Sequence, residues 1–376
     1  MAEHLGAPLT ATTIGMSLGP TSGMRDHARL LSEALPAEGI ESSLLWLERA
    51  AGSLPGARAE VRRWAQTLGG ELERRRPSAI VLHYASFAYA YRGLPVLLGP
   101  TLAAARRADA PVIAVLHELA YPWRRAGARG AVWAATHRLA LIPLMRACAA
   151  AVLTTEQRRQ WLASRRWLPA RRLEVAPVFS NLPPPSGQVN VQEGLIGLFG
   201  YAYEGAAVAV VLDAVRELRD RGTDASLQLL GAPGPGSPTA SLWEAEAERR
   251  GIGRALSFTG RQPAQEISDA LARCAVLLCA ASPGPTSRKG SLAGSLASGR
   301  PVVALDGPLT WTELVERDAA RVVAANPAAL AGELGRLLAD DAERDGLGVR
   351  GRDFYDRRMA VTRTAELVAS LIRELA

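Results

Sequence analysis

The sequence predicts an α/β protein built from two doubly wound domains facing a cleft. Three observations predict it. Short apolar, β-branched runs alternate with longer segments of helical period, the pattern of parallel strands joined by crossover helices. The alternation pauses once, at APVFSNLPPPSGQVNVQEG (176–194), where three consecutive prolines stand among Ser, Gly, Asn and Gln and read as a linker. A chain of 376 residues also exceeds a typical single core and suits two domains of ordinary size.

In chain order, a β-branched strand at 9–17 is followed by a helix at 24–35 with Met24, Ala28, Leu31 and Leu35 at helical spacing. A strand at 43–47 precedes a helix at 58–75, and the apolar run 79–83 is a strand ending on His83. Helix 94–107, strand 111–116, helix 130–148, strand 151–154, helix 156–166 and strand 172–175 complete the first half. Strands this continuously apolar are those of a parallel sheet buried on both faces. After the linker come strands at 195–199, 226–230, 256–259, 275–279, 301–305 and 320–323. Helices at 206–221, 240–250, 264–273, 288–298 and 328–338 separate or follow them, and a last helix spans 360–376. The expected domains are 1–185 and 186–358, with a closing helix at 359–376.

Hydrophobic content of 48% and charged content of 22% are those of a soluble globular chain. Lys289 is the single lysine among 44 basic residues, which reads as codon usage. Residues 1–185 hold 23 arginines against 13 acidic residues, whereas the remainder carries a net −3. A basic first half fits an anionic partner, such as a lipid headgroup, a phosphorylated acceptor or nucleic acid, and equally fits a need for solubility. Cys148, Cys274 and Cys279 have neither metal-ligand nor disulfide spacing. The opening MAEHLGAPLT lacks a charged run followed by an apolar core, and no run of about 18 apolar residues occurs. The expected location is a reducing cytoplasm.

In doubly wound domains, ligands bind beyond the carboxyl ends of the strands, so the loops there matter most. LGPTSGMRDHARLL (18–31) places Ser22 and Gly23 before a helix that carries Arg25, where free N–H groups face an anion. His117 and Glu118 end the strand at 111–116, and His117 is suited to donate to a sugar hydroxyl or phosphate. His83 and Tyr84 end another strand and line the same cleft, whereas His4, His27 and His137 look peripheral. In the second half, Gly200 permits a tight turn against a ligand, and Gly260, Arg261 and Gln262 lie where main chain pairs with a base edge. GPTSRKGSLAGSLASGRPVVAL (284–305) sets Thr286 and Ser287 as caps, with Arg288, Lys289 and Gly290 as the first helical turn and Ser291 after them. Two cations at the positive end of a helix cost about 0.3–1 kcal/mol each, and a bound diphosphate reverses that sign.

Taken together, SGMRDHARLLSEAL (22–35), VIAVLHE (112–118), AAVLTTEQRRQWL (150–162), FTGRQPAQEISDAL (258–271) and SLAGSLASGRPVVAL (291–305) resemble the GT-B glycosyltransferases, and most of all glycosyltransferase family 4. The resemblance implies that the second domain binds a nucleoside-diphosphate sugar and the first holds a saccharide, lipid-linked or small-molecule acceptor. His117, with Glu118 beside it, would act at the donor sugar, with Arg25, His83 and Tyr84 on the acceptor side. Ser22, Gly23, Gly200, Ser287, Arg288, Lys289, Gly290 and Ser291 would bind the diphosphate. Gly260, Arg261, Gln262 and Ser295 would bind the nucleoside. The closing helix would cross back onto the first domain.

The chain departs from that family at two places. The family's two glutamates, separated by seven residues, are replaced by Thr286 and Gly294. The Arg and Lys that the family carries after the glycine at Gly200 are replaced by Tyr201-Ala202-Tyr203-Glu204. Arg288 and Lys289 would then supply the missing diphosphate charge. The expected activity is hexosyl or other glycosyl transfer, retaining and without a metal cofactor, since no Asp-x-Asp occurs. The competing expectations are a degenerate GT-B subunit that binds sugar nucleotide or a partner without transfer, and a sugar-nucleotide epimerase with Glu118 as its one evident acid/base group. Nucleic acid is not an expected partner: the Arg/Trp stretches 123–133 and 161–167 read as basic faces near an acceptor or the inner face of a membrane.

Overall fold

The structure is a computed structural model and describes residues 8–19, 22–123, 125–187, 189–200, 205–231, 234 and 236–376. The chain forms two compact units, Met1–Pro177 with Val361–Ala376, and Val178–Ala360. The division falls before the proline run rather than at residue 185. Val178 N–H donates to Ser287 O (2.8 Å), Ser268 Oγ donates to Pro183 O (2.6 Å) and Ser186 donates to Asp269 (2.8 Å), which ties that segment to the second unit.

The first unit is built from β1 (Leu9–Leu18), α1 (Gly23–Ala34), β2 (Ile40–Arg49), α2 (Leu54–Arg75), β3 (Ala79–Tyr84), α3 (Leu98–Arg107), β4 (Val112–Leu116), α4 (Gly127–Ala147), β5 (Ala150–Leu153), α5 (Glu156–Ala163) and β6 (Arg172–Val175). Its six strands pair in parallel in the order β2-β1-β3-β4-β5-β6. β3, β4 and β5 are buried along their whole length, while the edge strands β2 and β6 are partly exposed, as the alternation predicts for helices on both faces. The chain leaves β1 toward β2 and then returns to the other side of β1 for β3. A crevice therefore opens at the carboxyl ends of β1 and β3, the position where such sheets bind ligands.

The second unit contains β7 (Gln192–Phe199), α6 (Gly205–Asp220), β8 (Ser226–Leu230), α7 (Pro238–Arg249), β9 (Leu256–Gly260), α8 (Ala264–Arg273), β10 (Cys274–Cys279), α9 (Gly290–Ala297), β11 (Val302–Leu305), α10 (Thr312–Glu316), β12 (Arg321–Val323), α11 (Pro327–Ala339) and α12 (Asp341–Arg358). Its parallel order is β12-β11-β10-β7-β8-β9, which is the dinucleotide-fold order, and its switch point lies between β7 and β10. A last helix, α13 (Val361–Leu375), belongs to the first unit. Its Arg373 donates to Glu38 O and its Glu374 pairs with Arg172.

Four elements differ from expectation. The helix expected from 94 starts at Leu98, because Tyr91 and Leu94 close a two-residue hairpin by exchanging main-chain hydrogen bonds of 2.8 and 3.0 Å. Arg92 (φ 49°) and Gly93 (φ 86°) both take the left-handed conformation that such a turn needs. α10 and the long α12 have no counterpart in the predicted elements. The helix expected from Arg288 begins at Gly290, with consequences for the site.

Candidate functional site

In the second unit, two loops flank the switch point. The first follows β7 through Gly200, whose φ of 118° and N–H donation to Leu230 O (3.2 Å) make the tight turn that only glycine adopts readily. Tyr201–Glu204 lie outside the described residues. The second loop follows β10 and runs to α9. It is clamped by the loop after β11: Leu309 N–H donates to Pro283 O (2.8 Å) and Trp311 N–H to Pro285 O (2.9 Å).

At the end of this loop the expected cap does not form. Lys289 is the N-cap of α9 in extended conformation, no side chain caps the helix, and Thr286 and Ser287 are buried. A turn explains the correction: Lys289 N–H donates to Thr286 O (3.1 Å), which holds both hydroxyls one turn away from the free N–H groups. Gly290 and Ser291 begin α9, so their N–H groups and that of Leu292 have no partner within the helix. Arg288 is exposed and Lys289 half-buried, and among the described residues neither pairs with a carboxylate. The arrangement is a helix N-terminus with two cations beside it and no anion, a site whose own electrostatics are unfavourable until one binds.

Two buried polar atoms of this unit also lack partners: Thr286 Oγ1 in this loop, and Gln262 Oε1 after β9. An orphaned acceptor at a strand's carboxyl end fits a ligand that donates to it. Gly260 (φ 66°) ends β9, Arg261 is exposed, and Ser295 is buried on α9. Gly294, at the place of the family's second glutamate, cannot carry a side chain without displacement. A Cβ there would stand 3.0 Å from the Phe199 ring and 3.3 Å from Leu182. The departure at 294 is therefore built into the packing of α9 on β7.

In the first unit, three histidines meet beneath the β1/β3 crevice. His83 Nδ1 lies 3.0 Å from His117 Nε2, and the His27 ring stands edge-on to both, at centroid distances of 5.5 and 4.8 Å. His83 is inaccessible and His27 is 4% exposed, so the expectation that His27 is peripheral is corrected: α1 turns it inward from its first turns. Burial first, then the neighbouring rings, holds His27 and His83 well below the ordinary imidazole value. Burial, then the Arg158 charge, pushes His117 down to about 4. Arg158 Nη1 donates to His117 O and Thr154 Oγ1, fixing the end of β4. At neutral pH all three rings are uncharged. One proton is shared between His83 and His117, and His83 Nε2 has no partner. Each ring offers one ligand nitrogen within 4.8 Å of the others, and among the described residues this is the group able to hold a metal.

The other expected residues of this unit take distinct places. Ser22 caps α1, accepting from Arg25 N–H (3.4 Å), and Gly23 opens that helix. Arg25 pairs with Glu48. Glu118 is exposed and accepts from Ser86 Oγ (3.3 Å). Tyr84 is fully buried and stacked on Tyr89 at 5.3 Å, so neither it nor His83 is placed to touch an acceptor directly. His137, expected to be peripheral, is buried. Its Nδ1 accepts from Tyr121 N–H (3.2 Å), which makes Nε2 the protonated nitrogen that donates to Gly93 O (2.7 Å). Arg49 and Arg92 were not singled out by the sequence, because nothing in an arginine-rich chain distinguishes one arginine from another. Pro20, Thr21 and His4 lie outside the described residues.

Comparisons with known proteins bear on the fold. A family described as "Glycosyl transferases group 1" matches residues 193–340, within the second unit. No curated protein sequence matches. Among solved structures, the chain is similar to sucrose-phosphate synthase from Thermosynechococcus elongatus, with 16% identity, 98% and 99% of the two chains covered and a TM-score of 0.69. It is also similar to Anabaena HepE in complex with UDP and glucose, at 14% identity over 97% and 100% of the chains with a TM-score of 0.67. A third is UDP-GlcNAc 2-epimerase from Neisseria meningitidis bound to UDP-GlcNAc, at 10% identity over 97% and 100% with a TM-score of 0.61. The chain has the GT-B fold, two Rossmann-like α/β units.

Proposed function

We propose that this GT-B protein, whose second unit contains the match to the group 1 glycosyl transferases, moves a sugar from a nucleoside-diphosphate sugar to an acceptor hydroxyl. The observation that carries the reading is the uncapped start of α9 at the β7/β10 switch point, with Lys289 at the N-cap and Arg288 before it. A diphosphate there accepts from the free N–H groups and from both cations. As the sugar–phosphate bond breaks, charge grows on the leaving diphosphate, and donors already fixed in place stabilise it without reorganisation. That role needs no metal at the diphosphate. Gly260 and Gln262, at the end of β9 in the same unit, serve the nucleoside in this reading. A solved GT-B relative that holds UDP and glucose supports a nucleotide-sugar donor.

The acceptor reading rests on the first unit. Trp123 and Trp167 are 50% and 43% exposed, and Arg138 and Arg165 stack on Trp123 and Trp161 at 4.6 and 4.8 Å. Such a face supports peripheral contact with an anionic membrane surface on the cytoplasmic side. Among the described residues no helix is long and apolar enough to cross a membrane.

A second reading, sugar-nucleotide binding without transfer, is favoured by Thr286 and Gly294 standing where the family has glutamates. Calorimetry with nucleoside diphosphates tests the binding, and donor turnover separates the readings. The transferase binds a diphosphate, loses at least tenfold in affinity in Arg288→Ala and Lys289→Ala, and slowly hydrolyses donor when no acceptor is present. Unchanged affinity in both variants overturns the proposed site. Tight binding with no donor consumption selects the second reading.

A further inference from the structure

The first unit holds a pocket that none of the preceding roles uses. It has a volume of about 350 Å³ and lies at the carboxyl ends of β1 and β2, under the segment that follows β3 and beside α4. Its walls are largely apolar and aromatic, with Phe87, Tyr91 and Trp133 forming them, and three arginines, Arg49, Arg92 and Arg129, line it.

Arg49 is the unusual member. It is the last residue of β2 and only 5% exposed. Its Nη1 donates to Ala88 O (2.6 Å) and Ala90 O (3.0 Å), both neutral acceptors, and its Nε is buried without a partner. Among the described residues no carboxylate forms an ion pair with it. Burial lowers its basicity, and Glu60 offsets only part of that, since the Glu60 carboxylate accepts from the Ala50 and Ala51 N–H groups (3.0 and 3.4 Å). A guanidinium taken out of water with no counter-ion is costly, and such a group is retained where a ligand brings the missing charge.

The rest of the pocket is built for such a ligand. Arg92 and Arg129 are exposed at the rim, and their guanidinium groups lie 5.6 Å from the Tyr91 ring and 4.5 Å from the Trp133 ring. Stacking leaves their N–H edges free to reach an anion. The aromatic wall is held from behind. A Cβ at Gly93 would overlap the Trp133 indole, so the hairpin tip sits flush against that ring, and the His137 bond to Gly93 O locks it there. The Phe87 and Trp133 rings meet edge to face at 5.7 Å. The result is an apolar slot ringed by three cations, at the carboxyl ends of β1 and β2.

We propose that this pocket binds a phosphate monoester whose ester group is a ring or short apolar body. The body lies against Phe87, Tyr91 and Trp133, and the phosphate is held by Arg49, Arg92 and Arg129. Arginine is the side chain that matches phosphate oxygens two at a time, and a phosphate monoester carries about −1.5 to −2 charge at pH 7. The name acceptor for this ligand rests on the transferase reading; the binding does not. A soluble sugar phosphate and a lipid phosphate share this chemistry.

Calorimetry on the full chain, with no donor added, tests the inference using glucose 6-phosphate, octyl phosphate, inorganic phosphate and glucose. At least one of the two esters binds one-to-one and at least tenfold more tightly than inorganic phosphate, and glucose binds more weakly still. Preference for glucose 6-phosphate identifies a soluble ligand, and preference for octyl phosphate a lipid one. Arg49→Gln weakens the preferred ester tenfold or more. Arg92→Ala and Arg129→Ala change exposed residues that leave the fold intact, and each weakens it severalfold. Ester affinity equal to that of inorganic phosphate, or unchanged in all three variants, overturns the proposal. Loss of nucleoside diphosphate binding with ester binding intact sinks the transferase reading alone, and the reverse sinks only this pocket.

Discussion

Acidification should destabilise the first unit through its buried histidines well before carboxylates titrate. In the unfolded chain His117 has the ordinary value of 6.5, and in the fold it is pushed down to about 4. The unfolded state therefore binds more protons between those values, and stability must fall as pH falls. The contribution is fully present above 6.5 and is lost on the way to 4. At about 1.36 kcal/mol per pH unit, moving from pH 7.5 to pH 5 removes about 2 kcal/mol through His117 alone. His27 and His83 shift in the same direction and steepen the loss. Denaturant unfolding followed by hydrogen exchange in β3 and β4 reads it. His117→Gln stays uncharged and keeps a partner for His83, so its stability should fall less over the same range. A flat profile between pH 7.5 and 5, or an equal fall in His117→Gln, would refute the reasoning.

Gly93→Ala forces a Cβ into the Trp133 indole at a left-handed φ, so the unit should lose more than about 1 kcal/mol and phosphate esters should bind less well, read by thermal unfolding and calorimetry. Gly294→Glu should not restore the family's ribose contact. The side chain meets Phe199 and Leu182, so a loss of about 1–3 kcal/mol with no gain in nucleotide affinity is expected by the same two measurements. A chelator should leave sugar transfer unchanged. Activity lost to the chelator and regained with Zn²⁺ would show instead that His27, His83 and His117 hold a working ion.

The two sheets were legible because parallel strands buried on both faces write themselves as continuous apolar runs, as in β3, β4 and β10. α12 was not, because glycines at 346, 348 and 351 break its helical period. The fold places Gly348 there because α12 runs against the main chain at Gly299, where a Cβ would overlap the Gly299 carbonyl. The basic turn at Arg288 and Lys289 stood out against a chain with one lysine, but its cap was misplaced by one turn. A sequence shows which hydroxyls are close, not which way a turn carries them. The histidine cluster joins α1, β3 and β4, residues 27, 83 and 117, and no local pattern announces a contact that tertiary pairing creates. Arg49 was invisible for the same reason: its lack of a counter-ion is a property of its surroundings.

The central claim is where the diphosphate sits. A crystal structure with a bound nucleoside-diphosphate sugar should place the phosphates against the N–H groups of Gly290, Ser291 and Leu292, with Arg288 and Lys289 on their oxygens. Phosphates bound in the second unit but away from residues 286–292, or nucleotide held only by the first unit, would contradict it.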